Sequence, residues 1–158
     1  MAAKKKYDVL VVGGGVAGVA AALECTRAGL RTAIVEKTVL LGGMATSGLV
    51  PIYMPLCDGQ GRQVTFGIAQ ELFDVSIRYG PGRLPPAWRS TTEAESTEVE
   101  DLYPESNFNS RYMTPFAPAA FALGLDEVVE QCGADLWLDT LACTPILSGQ
   151  KVAGVEVE

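Results

Sequence analysis

The stretch Gly13-Gly14-Gly15-Val16-Ala17-Gly18 determines the fold that we expect of this chain. Its spacing, G-x-G-x-x-G, is typical of a turn that leaves a β-strand and opens an α-helix. A β-branched, apolar run over residues 7–12 precedes it, and a segment rich in alanine and leucine over residues 16–28 follows it. A second apolar run covers residues 32–36. The pattern therefore predicts a right-handed βαβ unit with parallel strands.

The glycines of this loop each have a separate physical role. Gly13 permits a tight turn out of the strand, Gly15 leaves the backbone open to a pyrophosphate, and Gly18 lets the helix pack closely on the sheet. The first amides of the helix, at Val16 and Ala17, have no partner within the helix and point towards that phosphate. The loop therefore predicts a dinucleotide site.

Glu36 supplies the acidic residue that such a site requires, about 20 residues beyond the glycine loop at the end of the second strand. Its carboxylate can accept hydrogen bonds from both ribose hydroxyls of an adenosine, and its charge would repel the 2′-phosphate of NADP. A P-loop is excluded because no Gly-Lys-Ser/Thr follows the glycines. The alternative is a glycine-rich turn in an α/β domain that binds no nucleotide.

The whole chain divides into three regions. Residues 1–54 contain the βαβ unit and a glycine-rich loop, and residues 55–115 are an inserted region with an amphipathic helix over residues 66–79 and a polar, proline-rich segment. Residues 116–158 contain a helix over residues 118–131 and three short strand-like runs, over residues 136–140, 142–147 and 152–157. The last two runs flank Ser148-Gly149-Gln150-Lys151, which predicts a hairpin.

The composition excludes several classes of function. The chain has 158 residues, of which 48% are hydrophobic and 20% are charged, and it therefore predicts a soluble globular domain. The net charge of −7 argues against nucleic acid and anionic membrane surfaces as partners. The apolar run over residues 9–23 is too short to span a bilayer and lacks a clear cleavage site, so we expect neither a membrane span nor export.

The chain contains no histidine, which excludes a Ser-His-Asp or Cys-His nucleophile and a histidine-ligated metal within it. We predict no metal site. The four cysteines, Cys25, Cys57, Cys132 and Cys143, show no C-x-x-C spacing, which argues against a zinc ribbon or a thioredoxin-like motif. We interpret them as mostly buried thiols in a reducing compartment, and therefore expect a cytoplasmic protein.

The segment that follows Glu36 distinguishes FAD from NAD, which both place an ADP half in this fold. Gly42-Gly43-Met44-Ala45-Thr46-Ser47-Gly48 resembles the two-dinucleotide-binding-domain flavoproteins, in which the Gly-Gly segment runs beside the flavin end of FAD. Extended over residues 41–50, it is similar to the FAD-dependent oxidoreductase family that is loosely related to the succinate dehydrogenase/fumarate reductase flavoproteins.

Further matches extend this resemblance over nearly the whole chain, with its weakest part over residues 82–109. They are Gly67-Ile68-Ala69-Gln70-Glu71-Leu72, Phe116 with Pro118, Gly133-Ala134-Asp135, Leu138-Asp139-Thr140 and Val152-Ala153-Gly154-Val155. The resemblance implies a Rossmann-like FAD/NAD(P)-binding α/β fold with a parallel sheet and a β-meander, incomplete at its C-terminus. It also implies that residues 55–115 belong to a substrate or cap region.

The same resemblance implies which residues bind FAD. Met44, Ala45, Thr46 and Ser47 would flank the flavin ring, and the backbone of Ala142 would contact the adenine. Thr46, with the neighbouring Ser47, could hydrogen-bond to the ring, or its hydroxyl could instead satisfy the turn. The full set of cofactor residues that we expect is Gly13, Gly15, Val16, Ala17, Gly18, Glu36, Lys37, Gly42, Gly43, Met44, Ala45, Thr46 and Ala142. No catalytic residue is assigned.

The implied function is that of the N-terminal FAD-binding part of an oxidoreductase that accepts hydride from a small-molecule substrate. A dithiol reductase is disfavoured because the stretch just after Gly42-Gly43, where such enzymes carry C-x-x-x-x-C, contains no cysteine, and Cys57 further on is alone. In relatives a later strand completes the domain, so we expect a longer polypeptide, and also a possible homo-oligomer. Two alternatives remain: a non-catalytic nucleotide-binding module, and an NAD-dependent dehydrogenase domain, in which Gly42-Gly43 would have no purpose.

Overall fold

The structure is a computed structural model that describes residues 4–53, 56, 58, 63–80, 82 and 114–158. The polar, proline-rich segment that we expect over residues 82–112 lies outside the described residues, except for Gly82. Cys57 also lies outside them.

The predicted βαβ unit is confirmed. Strand β1 covers Val9–Val12, helix α1 covers Val16–Arg27 and strand β2 covers Thr32–Val35. The two strands run parallel and in register, from Val9 beside Thr32 to Val12 beside Val35. Gly29, with φ at +77°, follows the helix end in the left-handed conformation that glycine adopts easily.

Two further helices follow, close to their predicted positions. Strand β3 covers Ile52–Tyr53 and pairs in antiparallel fashion with strand β4, Thr114–Pro115, so that these short strands bracket helix α2, Ile68–Ile77. Helix α3 covers Pro118–Cys132 and ends at Gly133, whose φ is +76°. Pro118 fits the first turn of α3, where a missing N–H group has no cost.

The parallel sheet has the order β1-β2-β5, in which β5 is Asp135–Trp137. Every residue of β2 is buried, as its uninterrupted apolar pattern predicts for a central parallel strand. We expected the run after Gly133 to continue to residue 140, but β5 ends at Trp137. Asp139 adopts a left-handed φ of +49°, and its N–H donates to the carbonyl oxygen of Thr38, so the chain leaves the sheet there.

The last two strands form a hairpin, as predicted. Strand β6, Ala142–Ser148, pairs in antiparallel fashion with β7, Lys151–Val157, and Gly149 turns the chain with φ at +63°. The two strands contact mainly each other and are largely exposed. Of the expected β-meander, the described residues therefore form a two-stranded hairpin.

The hydrophobic core lies on one face of the sheet, where α1, α2 and α3 pack together. Gly124 lets α3 approach α2 closely, because a Cβ atom there would lie 2.6 Å from the Cγ1 atom of Val75. Tyr53 and Phe116 pack in a tilted arrangement with ring centroids 4.9 Å apart, and Phe121 meets Phe116 edge to face. Residues of the inserted region and of both flanking regions thus share one core.

The cysteines differ in part from our expectation. Cys25 and Cys132 are half-buried free thiols and Cys143 on β6 is exposed, so none of the three described cysteines is fully buried and the prediction of mostly buried thiols is wrong. Strands β6 and β7 contact chiefly each other, which leaves the Cys143 side chain exposed. Among the described helices, none combines the length and the apolar character needed to cross a membrane.

Candidate dinucleotide site

The glycine loop connects β1 to α1 and leaves the start of the helix open. Gly13 has a φ of +103° and donates its N–H to the carbonyl oxygen of Val35, 2.8 Å away, which confirms the tight turn. Gly15 is the N-cap of α1 and lacks a side-chain cap, and a Cβ atom built on it would meet nothing within 4 Å. The first amides of α1, at Val16 and Ala17, therefore border open space.

Gly18 has the packing role that the sequence predicts. A Cβ atom on Gly18 would overlap the carbonyl oxygen of Gly13 and would lie 3.3 Å from the Cγ1 atom of Val11. The absence of a side chain at Gly18 thus lets the first turn of α1 lie directly on the end of β1.

Glu36 follows β2 and is held by three hydrogen bonds from the chain itself. Its Oε2 atom accepts the N–H of Gly14 at 2.7 Å, and its Oε1 atom accepts the N–H and the hydroxyl of Thr38 at 2.8 and 2.9 Å. The side chain is only 8% exposed. A carboxylate offers about four acceptor positions, so capacity remains for a ribose hydroxyl.

The electrostatics of Glu36 favour its ionised form. Burial alone would raise the pKa of this carboxyl, but the hydrogen bonds from Gly14 and Thr38, together with the charge of Lys37, outweigh burial and hold the pKa below its usual value. Lys37 itself is exposed beside Glu36. The site therefore presents a fixed negative charge at the end of β2.

The second glycine segment adjoins the first. Gly42 and Gly43 have φ values of +98° and +54°, and a short 3₁₀ helix over Gly43–Ala45 follows them. The N–H of Gly42 donates to the carbonyl oxygen of Gly14 at 2.8 Å, and a Cβ atom on Gly43 would lie 3.3 Å from the Cα atom of Gly15. The structure thus brings together the glycine loop that we assign to the pyrophosphate and the segment that we assign to the flavin side of the cofactor.

Thr46 lies at the end of this segment and is only 4% exposed. Its hydroxyl donates to the carbonyl oxygen of Leu41 at 2.5 Å, as in the alternative in which it satisfies the turn. Ala45 packs against the core, whereas Met44 is 72% exposed and Ser47 is also exposed. The side chains that the segment presents to its surroundings are therefore those of Met44 and Ser47.

Ala142 is half-buried at the first position of β6, and the chain that leads to it runs beside Glu36. The N–H of Thr140 donates to the carbonyl oxygen of Glu36, and the N–H of Glu36 donates to that of Trp137. These bonds place the start of the hairpin next to the acidic end of the site.

Sequence reasoning missed two residues that shape the site, Gly14 and Thr38. Gly14 occupies a position that the G-x-G-x-x-G pattern leaves free, yet a Cβ atom there would lie 2.5 Å from the Cδ2 atom of Leu41 and 3.1 Å from the Cβ atom of Glu36. Thr38 could have been found from its spacing, because threonine hydroxyls often bond to groups two residues away.

These features fit the ADP half of a dinucleotide. The open helix N-terminus at Gly15 can receive a pyrophosphate, and the ionised Glu36 directly after the adjacent strand can accept a ribose hydroxyl. No cluster of three His, Cys, Asp or Glu side chains that could hold a metal ion occurs within the described ranges.

The chain resembles known proteins in both sequence and fold. A model of the family described as FAD dependent oxidoreductase matches residues 8–158. The chain is 29% identical over 153 residues to the digeranylgeranylglycerophospholipid reductase of Picrophilus torridus. The match covers 96% of this chain and 34% of that relative, so the chain spans about a third of the relative's length.

Solved structures show the same fold at lower sequence identity. THI4 of Thermovibrio ammonificans superposes with a TM-score of 0.60 at 19% identity over 97% of this chain and 47% of its own. Glycine oxidase of Bacillus cereus gives 0.58 at 20% identity over 96% and 51%. The structural likeness concerns the fold, whereas the family model covers nearly the entire sequence. The chain therefore belongs to the FAD dependent oxidoreductase family.

Proposed function

We propose that this chain forms the N-terminal FAD-binding part of an oxidoreductase that accepts hydride from a small-molecule substrate. The observation that carries the proposal is the junction of the two glycine segments, at which Gly42 bonds to Gly14 and Gly43 lies against Gly15. A site for ADP alone needs only the first segment. The continuous path from α1 to the exposed Met44 favours a longer dinucleotide with a ring system at its far end.

Each group of residues has a proposed role in holding the cofactor. The glycine loop and the start of α1 receive the pyrophosphate, Glu36 with Lys37 beside it receives the ribose, and the backbone of Ala142 contacts the adenine. Residues 42–46 lie along the flavin side. The cofactor residues that we propose are Gly13, Gly15, Val16, Ala17, Gly18, Glu36, Lys37, Gly42, Gly43, Met44, Ala45, Thr46 and Ala142.

The chemistry of hydride acceptance is supplied by FAD when it is bound. The chain itself binds and orients. The partial positive charge of the α1 N-terminus stabilises the pyrophosphate, and the left-handed backbone of Gly42 and Gly43 lets the second segment turn back against Gly15. The buried carboxylate of Glu36 favours a ribose with free hydroxyls over one that carries a 2′-phosphate.

A longer polypeptide completes the domain in this proposal. Within the described residues, β1 pairs only with β2, which leaves its other edge without a neighbouring strand. An additional parallel strand beside β1 would cover that edge. The length of the Picrophilus torridus relative, of which this chain's match covers 34%, supports further polypeptide.

The organisation into residues 1–54, 55–115 and 116–158 remains part of the proposal, with the middle region contributing to a substrate or cap region. A cytoplasmic location is favoured by free thiols at Cys25, Cys132 and Cys143. Homo-oligomerisation is a further possibility that size-exclusion chromatography with light scattering would test.

Calorimetric titration of the protein with FAD, ADP and NAD tests the proposal, together with the visible absorption of the purified sample. We expect FAD to bind more tightly than ADP or NAD and the bound sample to be yellow. Gly15→Val is the control, since its side chain fills the open space, where a Cβ atom meets no neighbour within 4 Å. Equal binding of ADP and FAD would favour a nucleotide-binding module. A preference for NAD would favour a dehydrogenase domain. If none of the three ligands bound, the proposed site would be refuted.

A further inference from the structure

Thr38 donates twice to the same oxygen atom of Glu36. Its backbone N–H and its hydroxyl lie 2.8 and 2.9 Å from Oε1. Neither group is required by the G-x-G-x-x-G pattern or by the acidic residue that accompanies it. The sequence motif therefore does not account for the two bonds from Thr38 to Glu36.

The hydroxyl of Thr38 has a second acceptor within reach, the carbonyl oxygen of Leu40 at 2.9 Å. A hydroxyl has a single proton, and an ionised carboxylate is the stronger acceptor of the two. The backbone of Thr38 is itself fixed, because its carbonyl oxygen accepts the N–H of Asp139 at 3.0 Å. The segment after β5 thus holds Thr38, and Thr38 in turn holds Glu36.

We propose that Thr38 is a positioning residue for adenosine recognition, which fixes the carboxylate of Glu36 in the orientation that accepts the ribose 2′-hydroxyl. This inference rests on the proposed dinucleotide function of the site. Gly14 secures the other carboxylate oxygen, Oε2, through a backbone N–H that every residue except proline would retain. Thr38 is therefore the place where the sequence can adjust the orientation of Glu36.

The charges around Glu36 are few, which makes the contribution of Thr38 measurable. Lys37 is the charged neighbour on its own segment and lies exposed. The glycine loop and residues 42–46 contain no titratable side chain, and the segment after β5 brings Asp139, which contacts Thr38 through its backbone. The hydrogen bonds from Gly14 and Thr38 lower the pKa of Glu36 against the opposing effect of burial.

The first test uses the cofactor-free protein. The carboxyl carbon of Glu36 is titrated by NMR in the wild type, in Thr38→Val and in Thr38→Ser. Thr38→Val removes one charge-assisted hydrogen bond and should raise the pKa of Glu36 by about one pH unit, whereas Thr38→Ser should restore it. Thr26→Val is the matched control, because the Thr26 hydroxyl donates to the carbonyl oxygen of Leu23 in α1, away from Glu36.

The second test compares the binding of ADP and 2′-deoxy-ADP by calorimetry. We expect the wild type to prefer ADP and Thr38→Val to lose about fivefold or more of that preference, chiefly through weaker ADP binding. A purely structural role of Thr38 would weaken both ligands equally. Thr38→Ser and Thr26→Val should both keep the wild-type ratio.

The two tests separate the possible failures. An unchanged pKa in Thr38→Val, or an unchanged ratio of ADP to 2′-deoxy-ADP affinity, would overturn the role of Thr38. A wild type that binds neither nucleotide would refute the proposed function, while the titration would still measure the effect of Thr38 on Glu36. If Thr38→Val fails to fold, Thr38→Ala replaces it in both measurements with the same expected results.

Discussion

The backbone of Gly14 joins Glu36 to Gly42. Its N–H donates to the Oε2 atom of Glu36 at 2.7 Å, and its carbonyl oxygen accepts the N–H of Gly42 at 2.8 Å. One residue thus links the glycine loop after β1, the acidic residue after β2 and the second glycine segment. Disturbance of any of the three should therefore affect the other two.

Substitution of Gly14 tests this link. In Gly14→Ala the new Cβ atom would lie 2.5 Å from the Cδ2 atom of Leu41 and 3.1 Å from the Cβ atom of Glu36, so both must shift. We expect the free energy of unfolding to fall by about 1–3 kcal/mol, as for other overpacked sites. Urea denaturation of the cofactor-free protein measures this loss.

Gly15→Ala is the matched control for Gly14→Ala. The methyl group that this substitution adds meets no atom within 4 Å, and the φ of −63° at Gly15 suits any residue, so stability should change by less than about 0.5 kcal/mol. FAD binding should nevertheless weaken, because the methyl group enters the space that we assign to the pyrophosphate. Equal destabilisation by the two substitutions would contradict the packing argument.

Much of the fold could be predicted from local patterns. The uninterrupted apolar run of β2 indicated a central parallel strand, and the turn residues before Lys151 indicated the hairpin. The end of β5 could not be predicted in this way. It depends on the left-handed backbone of Asp139 and on the acceptor that Thr38 provides, and Thr38 lies far earlier in the chain.

The candidate site, like the fold, could be predicted only in part from the sequence. The roles of Gly13 and Gly18 follow from their spacing, and their geometry agrees with those roles. The constraint on Gly14 arises from Leu41, which approaches it only after the chain has passed through α1 and β2. A sequence motif gives the spacing of residues along the chain, but it does not show which side chains contact those residues in the folded structure.

Substitution of Thr46 tests whether its hydroxyl bonds to the turn or to the flavin. Thr46→Val removes the hydrogen bond to the buried carbonyl oxygen of Leu41, and we expect a loss of about 1–3 kcal/mol in stability without cofactor. Thr46→Ser should keep the bond and most of the stability. If Thr46→Val leaves the stability unchanged but alters the visible spectrum of bound FAD, the hydroxyl serves the flavin instead.

Helix α3 allows a test of the core. Phe121 is fully buried and packs edge to face on Phe116, so Phe121→Ala should cost about 3–5 kcal/mol in denaturant unfolding. Leu123 lies two residues further along the same helix but is exposed, and Leu123→Ala should change stability by no more than about 0.5 kcal/mol. Similar losses in the two variants would mean that the helix does not face the core as described.

The ionised state of Glu36 makes stability depend on pH. Its pKa is lower in the folded chain than in the unfolded one, so its stabilising contribution is fully present above the unfolded-state pKa and is lost as the pH falls through the folded-state pKa. Glu36→Gln lacks this titration. We expect the variant to be less stable than wild type by about 1–3 kcal/mol at pH 7, because the bonds from Gly14 and Thr38 lose their charged acceptor.

The difference between wild type and Glu36→Gln should then shrink as the pH is lowered from 7 into the range in which carboxylates become protonated, since the wild-type side chain becomes neutral as well. Urea denaturation at several pH values measures it. Glu130→Gln on the exposed face of α3 serves as the control, because Glu130 has none of the contacts that hold Glu36. If the difference in stability between wild type and Glu36→Gln stayed constant across this range, the hydrogen bonds to Glu36 would not depend on its charge. The site would then lack the fixed negative charge on which ribose recognition depends.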